Sequence, residues 1–552
     1  MRKKRKNPAL FVIILILLVA SAGFVTNIVR AHIPGKERMS LTEYYGVPAE
    51  GEALLILHGD FMEKRVVLNG ETAYLPLGIV NTYLNQRYYW DVENRQIIYA
   101  TPSELIYTPA QDAPGSDVWL HNDDVYLSIP FVQRFTDMDV YYNHDPERVA
   151  IQYDFDKLKM VKAVKNSAVR YRGGIKSPIL CDVQAGDILY LLEELENWDQ
   201  VATPDGYVGY IQKSAVSAVL TEQPARERTL EQYSYLTYDF PVNLVWDQVT
   251  VMDANDMLAN RTASMTGVNV ISPTWFALSD NAGNFTDLSS ASYVNTAHAM
   301  GLKVWALADN FSPDMSTYEV LSHTGPRANL VANLVNATLA CGADGINVDF
   351  EALSEETGVH FLQFLRELSI ECHKNNLVLS VDNPVPADFT SHYDRAEQGR
   401  VVDYVIVMGY DEHYEGSTEP GSVASLPWVE QGVIETIAEA PSNRVINGMP
   451  FYVRVWKVMA ESLASEAVSM GEAKRLLNEH NAQTYWDNVA YQYVGSYEAD
   501  GATWKMWLEE DESIAYKTDL VRKYNLAGVA AWKLGMEEST VWPVIAQHLK
   551  GE

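Results

Sequence analysis

The sequence predicts an α/β protein whose largest part, residues 239–550, is a (β/α)8 TIM barrel, preceded by an α+β unit at 46–156 and a small all-β barrel at 160–220. Three observations predict it. At 552 residues the chain is too long for one core. From residue 239 onward apolar strand-like runs alternate with helical text, whereas before it short β-like runs are punctuated by Gly, Asn and Asp turns.

Residues 2–6 are Arg-Lys-Lys-Arg-Lys, and residues 9–25 carry no charge. A basic flank before an apolar run is expected to send the following chain out of the cytoplasm. The reading favours a retained N-terminal membrane anchor over residues 1–29, with cleavage near Ala22 as the signal-peptide alternative, because the uncharged text continues to Val29. A short linker, 30–45, follows.

Within 46–156 the runs Ala53–Leu57, Arg65–Leu68, Thr72–Leu77 and Gln96–Tyr99 read as strands, with Asn69-Gly70 as a hairpin turn. A weak repeat at an offset of about 52 residues relates Tyr74–Leu77 to Tyr126–Ile129 and Gln96–Tyr99 to Arg148–Ile151. The layout resembles the stalk domain named after the N-terminal region of copper amine oxidases, which implies spacer or wall-contact duty and brings no metal ligands. In 160–220, Ser167–Tyr171, Gly186–Leu192, Trp198–Val201 and Asp205–Ile211 form alternating short strands. Their order resembles a bacterial SH3 domain, which implies weak cell-wall contact; Trp198, Tyr207 and Tyr210 read equally as core aromatics of a small barrel. A polar linker, 221–238, leads to the large unit.

Eight strands are expected there: Val242–Trp246, Val268–Ser272, Lys303–Leu307, Gly345–Phe350, Leu377–Val381, Tyr404–Met408, Val445–Met449 and Gly528–Trp532. In such a barrel chemistry sits at the C-terminal strand ends. Those ends carry carboxylates, amides and aromatics, among them Trp246, Asp247, Trp275, Asp309, Asn310, Asp349, Glu351, Asp382, Asn383, Met408, Tyr410, Asp411, Arg454 and Trp532.

The fourth strand, Asp344-Gly-Ile-Asn-Val-Asp-Phe-Glu351, is the most informative stretch. Side chains alternate along a strand, so Asn347, Asp349 and Glu351 share one face and Ile346, Val348 and Phe350 the other. Carboxylates are seldom buried unless paired or functional, and two at i and i+2 can share a proton. A strand end capped by lysine-paired acids, or a metal site, would show the same pattern.

The stretch also resembles the Asp-x-x-Asp-x-Asp-x-Glu signature of family 18 glycoside hydrolases, with Asn347 where an aspartate is usual. Met408-Gly-Tyr-Asp411 resembles the family's Met-x-Tyr-Asp, Gly448-Met-Pro-Phe-Tyr-Val-Arg454 its Gly-x-Pro-x-Tyr-Gly-Arg, and Trp532 its tryptophan under the sugar. The resemblance implies that Glu351 is the general acid, that Asp349 orients the substrate's acetamido group, and that Tyr410 steadies an oxazolinium formed by attack of the acetamido oxygen, with retained configuration. Asn347, Asp411, Trp532, Arg454, Trp275 and Met408 are expected to contact substrate or orient the acids, Asn347 by way of Asp349. Asp344, on the opposite parity, is expected to fix the strand start.

Trp504–Ser513 resembles a segment before the last strand in a bacterial subgroup that lyses peptidoglycan and spore cortex. The expected substrate is therefore an N-acetylated hexosamine polysaccharide, first peptidoglycan, with a chitinase or a catalytically silent lectin-like protein as alternatives. A net charge of −31 argues against nucleic acid. With scattered Cys181, Cys341 and Cys372 and no histidine cluster, neither a metal nor another cofactor is expected, and the chain is expected to be a monomer.

Overall fold

A computed structural model describes residues 8–220 and 231–551. The chain divides into two compact units, one of residues 1–90, 95–97 and 108–231 and the other of 91–94, 98–107 and 232–552. The basic run 2–6 and most of the expected linker, 221–230, lie outside the described residues.

Pro8–His32 is helical. The expected membrane anchor is nevertheless corrected: among the described residues no helix is long and apolar enough to cross a membrane. The transmembrane helix, the membrane as partner and a membrane-anchored location fall with it.

Besides a sheet of three strands within Tyr88–Pro109, the described residues of the first unit form two larger sheets. One runs in the order Met138–His144, Glu147–Tyr153, Glu52–Leu57, Val66–Asn69, Thr72–Pro76, Asp124–Ser128, Val118–His121, with Asp60–Phe61 paired to Glu52–Leu57. The other, six-stranded, joins Met160–Lys162 to Ile179–Val183 through Ile188–Glu194, Trp198–Ala202, Val208–Gln212 and Ser167–Arg170. It closes over Val161, Val169, Leu189, Val201 and Ile211, while Trp198, Tyr207 and Tyr210 stay half-buried.

The second unit is a closed barrel of eight parallel strands: β1 Val242–Asp247, β2 Val270–Leu278, β3 Lys303–Asp309, β4 Gly345–Asp349, β5 Val378–Pro384, β6 Tyr404–Met408, β7 Val445–Pro450 and β8 Gly528–Trp532. Each pairs with the next in sequence, β7 with β8 across an insertion, and β8 closes on β1 with Val242 opposite Gly528. A Cβ at Gly528 would lie 1.9 Å from the Val242 carbonyl oxygen, so this seam requires glycine.

Two apolar layers hold the barrel. Inside, Leu244, Trp246, Trp305, Leu307, Tyr404, Ile406 and Ile446 fill the lumen. Outside, Ile346, Val348 and Phe350 of the fourth strand face helices such as Glu355–Lys374, with Phe350 stacked on Phe364. The alternation expected for 344–351 is therefore observed. The insertion between β7 and β8 is a five-stranded antiparallel sheet covering Tyr452–Trp507, with the helix Met470–Glu479 within it.

Candidate active site

β3, β4, β5 and β6 deliver a row of acids to one end of the lumen. Cross-strand register places Asp309 of β3 directly beside Asp349 of β4. Asp349 and Asp382 are buried, Asp309 nearly so, and Glu351 is half-buried. Burial pushes Asp349 well above the usual carboxylate range, and the neighbouring Asp382, Glu351 and Asp309 push it further. Burial raises Glu351 as well, reinforced by Asp411 and Asp309, while its hydrogen bond with Asp349 draws it down. The two carboxyls thus bias each other's protonation. Asp382 and Asp309 are also raised, burial being the main cause in each.

Asn347 lies fully buried beneath this row. Its Oδ1 accepts from the Trp246 indole N–H at 2.8 Å and the Ser272 hydroxyl at 3.1 Å, and its Nδ2 donates to Asp382 Oδ1 at 2.8 Å. The expected support of Asp349 is replaced by a bond to Asp382. An amide suits the place because it accepts from two donors and donates to an acid at once. Oδ1 of Asp349 is buried with no hydrogen-bond partner.

Past the ladder, Asn310 brackets Glu351: the Glu351 N–H donates to Asn310 Oδ1 at 2.9 Å, and Asn310 Nδ2 donates to the Glu351 carbonyl at 3.0 Å. Tyr410, two residues beyond β6, has its phenol pushed up by burial and by the nearby Asp349 and Asp382. Its ring meets Tyr452 edge-on at 6.2 Å. Tyr452 donates to Asp411 Oδ1 at 2.6 Å, and Arg454 Nη2 lies 4.0 Å from the same oxygen. Asp411 holds φ +64, which turns the chain sharply after Tyr410. Trp532 closes β8 with its ring 6.0 Å from that of Trp246. Met408 ends β6, nearly buried.

The structure therefore gathers Asp349, Glu351, Asn347, Tyr410, Asp411, Arg454 and Trp532 around one barrel mouth. Trp275 goes elsewhere: 1% exposed in the helix-facing layer, it donates to Asn255 Oδ1 at 2.9 Å and packs on Tyr293. Asp344 sits at the opposite end of β4, accepting from His298 Nε2 at 2.7 Å, Lys303 Nζ at 2.8 Å and the Val304 N–H at 2.9 Å. Asp247, a strand-end acid, is held by Arg261 and Tyr293. Trp504 stays in the insertion sheet, stacked on Tyr497. Asp309, Asn310 and Asp382 were visible as strand-end residues, but only the cross-strand register shows that they touch the row. Among the described residues no group of His, Cys, Asp and Glu could hold a metal ion.

Comparison with known proteins places this geometry. The model of the family "Glycosyl hydrolases family 18" matches residues 206–537. The glycosylase YvbX of Bacillus subtilis is 27% identical over 299 residues, 52% of this chain and 86% of the relative. A cortical fragment-lytic enzyme of the same organism is 26% identical over 231 residues, 40% of this chain, and there the chain spans only 53% of the relative. Among solved structures, the Bacillus cereus spore cortex-lytic enzyme SleL superposes with a TM-score of 0.51 at 18% identity, covering 68% of this chain and 79% of that one, a likeness of fold.

Proposed function

This chain belongs to the glycosyl hydrolases of family 18 and is a glycoside hydrolase, and we propose that it cleaves β-1,4 linkages beside N-acetylglucosamine in bacterial peptidoglycan, with retention of configuration. The observation that carries the reading is the acid row at the barrel mouth, Asp349 buried beside Asp309 with its Oδ1 unpartnered and Glu351 two residues on along the same face.

In the proposed mechanism Glu351 is the general acid. Burial raises its pKa, which favours the protonated form a general acid needs, and it gives this proton to the glycosidic oxygen. Asp349 offers Oδ1 to the acetamido N–H, which turns the acetamido oxygen onto the anomeric carbon; the C–O bond to the leaving sugar breaks as the ring oxygen–carbon bond of the oxazolinium forms. Tyr410 faces the same space and donates its phenolic proton toward the acetamido oxygen. Asp382, fixed by Asn347, supports Asp349 as the shared proton moves. Glu351, now a carboxylate, takes a proton from the water that opens the oxazolinium. Trp532 serves as the floor for the pyranose ring, and Asp411 with Arg454 borders the cleft.

Two supports favour this substrate, the relative whose name specifies cortical fragments and the two small units that precede the barrel. In this reading residues 46–156 are a spacer resembling the amine-oxidase-type stalk and residues 160–220 an SH3-like wall contact, on a secreted or wall-associated protein that acts as a monomer. Product mass analysis after digestion of purified peptidoglycan tests it. Glu351→Gln is expected to lose at least about 100-fold in rate while glycan binding survives, the missing contribution being proton transfer. Equal rates for the two proteins would sink the assignment.

A further inference from the structure

We propose that Asn310 is a positioning residue for Glu351, an amide that stands in for the missing strand neighbour and fixes the backbone from which the acid projects. The proposal rests on Glu351 acting as the acid. The β3–β4 ladder ends at the pair Asp309 and Asp349, so Phe350 and Glu351 run beyond the sheet and their main-chain groups lose the partners a longer β3 would provide. Asn310 supplies both at Glu351, accepting from its N–H at 2.9 Å and donating to its carbonyl at 3.0 Å. The amide is itself held, because Nδ2 also donates to Thr317 Oγ1 at 2.9 Å, at the start of the helix Thr317–Ser322.

The other side of Glu351 is fixed too. Ala352 adopts φ +51, a conformation that a residue with a Cβ rarely holds without constraint. Leu353 follows, its carbonyl bonded to His392 Nε2 at 2.8 Å and its N–H donating to the Tyr393 hydroxyl at 3.4 Å. Glu351 is thus the single residue between an amide clamp and a turn pinned by the segment Asp388–Tyr393. Catalytic groups must be held to within about 0.5 Å of their productive place, and a residue outside the sheet needs such fixtures to be so held.

An amide of this length offers an acceptor and a donor to the N–H and the carbonyl of one residue. Aspartate keeps the acceptor and sets a negative oxygen against the Glu351 carbonyl; alanine offers neither. Neither Asn310 nor Thr317 is required to touch the sugar.

The test compares Asn310→Ala, Asn310→Asp and Thr317→Val in the full chain, using an N-acetylglucosamine oligomer for steady-state kinetics and, in a Glu351→Gln background, for binding. The expected result is a kcat lower by about 10- to 100-fold for both Asn310 variants, with KM and oligomer binding within about 2-fold of the parent, and a smaller loss of the same kind for Thr317→Val. Hydrogen exchange of the backbone segment spanning 345–353 gives a readout independent of turnover, and is expected to speed up in all three variants. Unchanged exchange and kcat in Asn310→Ala, or a KM that rises in step with the fall in kcat, would overturn the proposal. A parent chain as inactive as Glu351→Gln would instead remove the hydrolase mechanism, and the exchange data would then decide the clamp alone.

Discussion

Asp309 shows how single residues set the protonation of this cleft. It faces Asp349 across the sheet, and its Oδ1 accepts from the Phe311 N–H at 3.1 Å, a bond that an asparagine can also make. Its carboxyl is raised by burial, so the folded chain retains a proton that the unfolded chain releases. For such a group stability is greatest below the unfolded pKa and is lost as pH rises through the window up to the folded value. Asp309→Asn is therefore expected to raise the melting temperature of the catalytic unit near neutral pH, by the equivalent of about 1 kcal/mol, with the gain shrinking toward about pH 4, measured by calorimetry at both. The same change removes a charge that raises Glu351, so the alkaline limb of the kcat/KM profile should move to lower pH. Asn347→Asp tests the neighbouring position. A second carboxyl would stand at the 2.8 Å contact with Asp382, two such acids cannot both ionise there, and the pair should hold one proton to higher pH, visible as an added titration in the rate profile.

At the scale of elements, β4 separates its acids by end. Asp344 ties the strand start to β3 through Lys303 and the Val304 N–H, far from Glu351 along the same strand. Asp344→Ala is expected to cost about 1–3 kcal/mol in denaturant unfolding with kcat unchanged, since it strands a buried N–H without touching the cleft. The segment Trp504–Ser513 also serves structure. Glu509 is 1% exposed, paired with Lys517 at 2.8 Å and bonded to Gln492 and Ser513, which ties the insertion sheet to the helix Asp511–Tyr524. Lys517→Met should destabilise by about 3–5 kcal/mol, because it leaves an unpaired carboxylate in the interior. Much of this was legible beforehand. All eight barrel strands follow from apolar runs bounded by turns, and the face on which Asn347, Asp349 and Glu351 lie follows from strand parity alone. The partners of Asn347 and the destination of Trp275 were not, because both depend on which strand ends meet across the lumen or which helix lies outside it, and local sequence carries neither.

For the whole molecule, a net charge of −31 means that an anionic polymer approaches against a repulsive field. Raising ionic strength from about 0.01 M to about 0.15 M shortens the screening length from about 30 Å to about 8 Å, so the KM for peptidoglycan should fall over that range while the KM for a neutral oligomer stays constant. Equal salt responses for the two substrates would refute an electrostatic barrier. Crossing a bilayer requires continuous apolar length on one helix, and among the described residues no helix supplies it.

The hydrogen bonds from Trp246 and Ser272 to Asn347, and from Asn347 to Asp382, join the buried interior of the barrel to the mouth. The indole of Trp246 works as a remote adjusting screw. Filling its place with phenylalanine would keep the lumen occupied yet free one lone pair of the amide, and the acidity of a group several residues away would answer. Trp246→Phe, at a side chain 1% exposed within the lumen, is thus expected to shift the pH profile of kcat/KM.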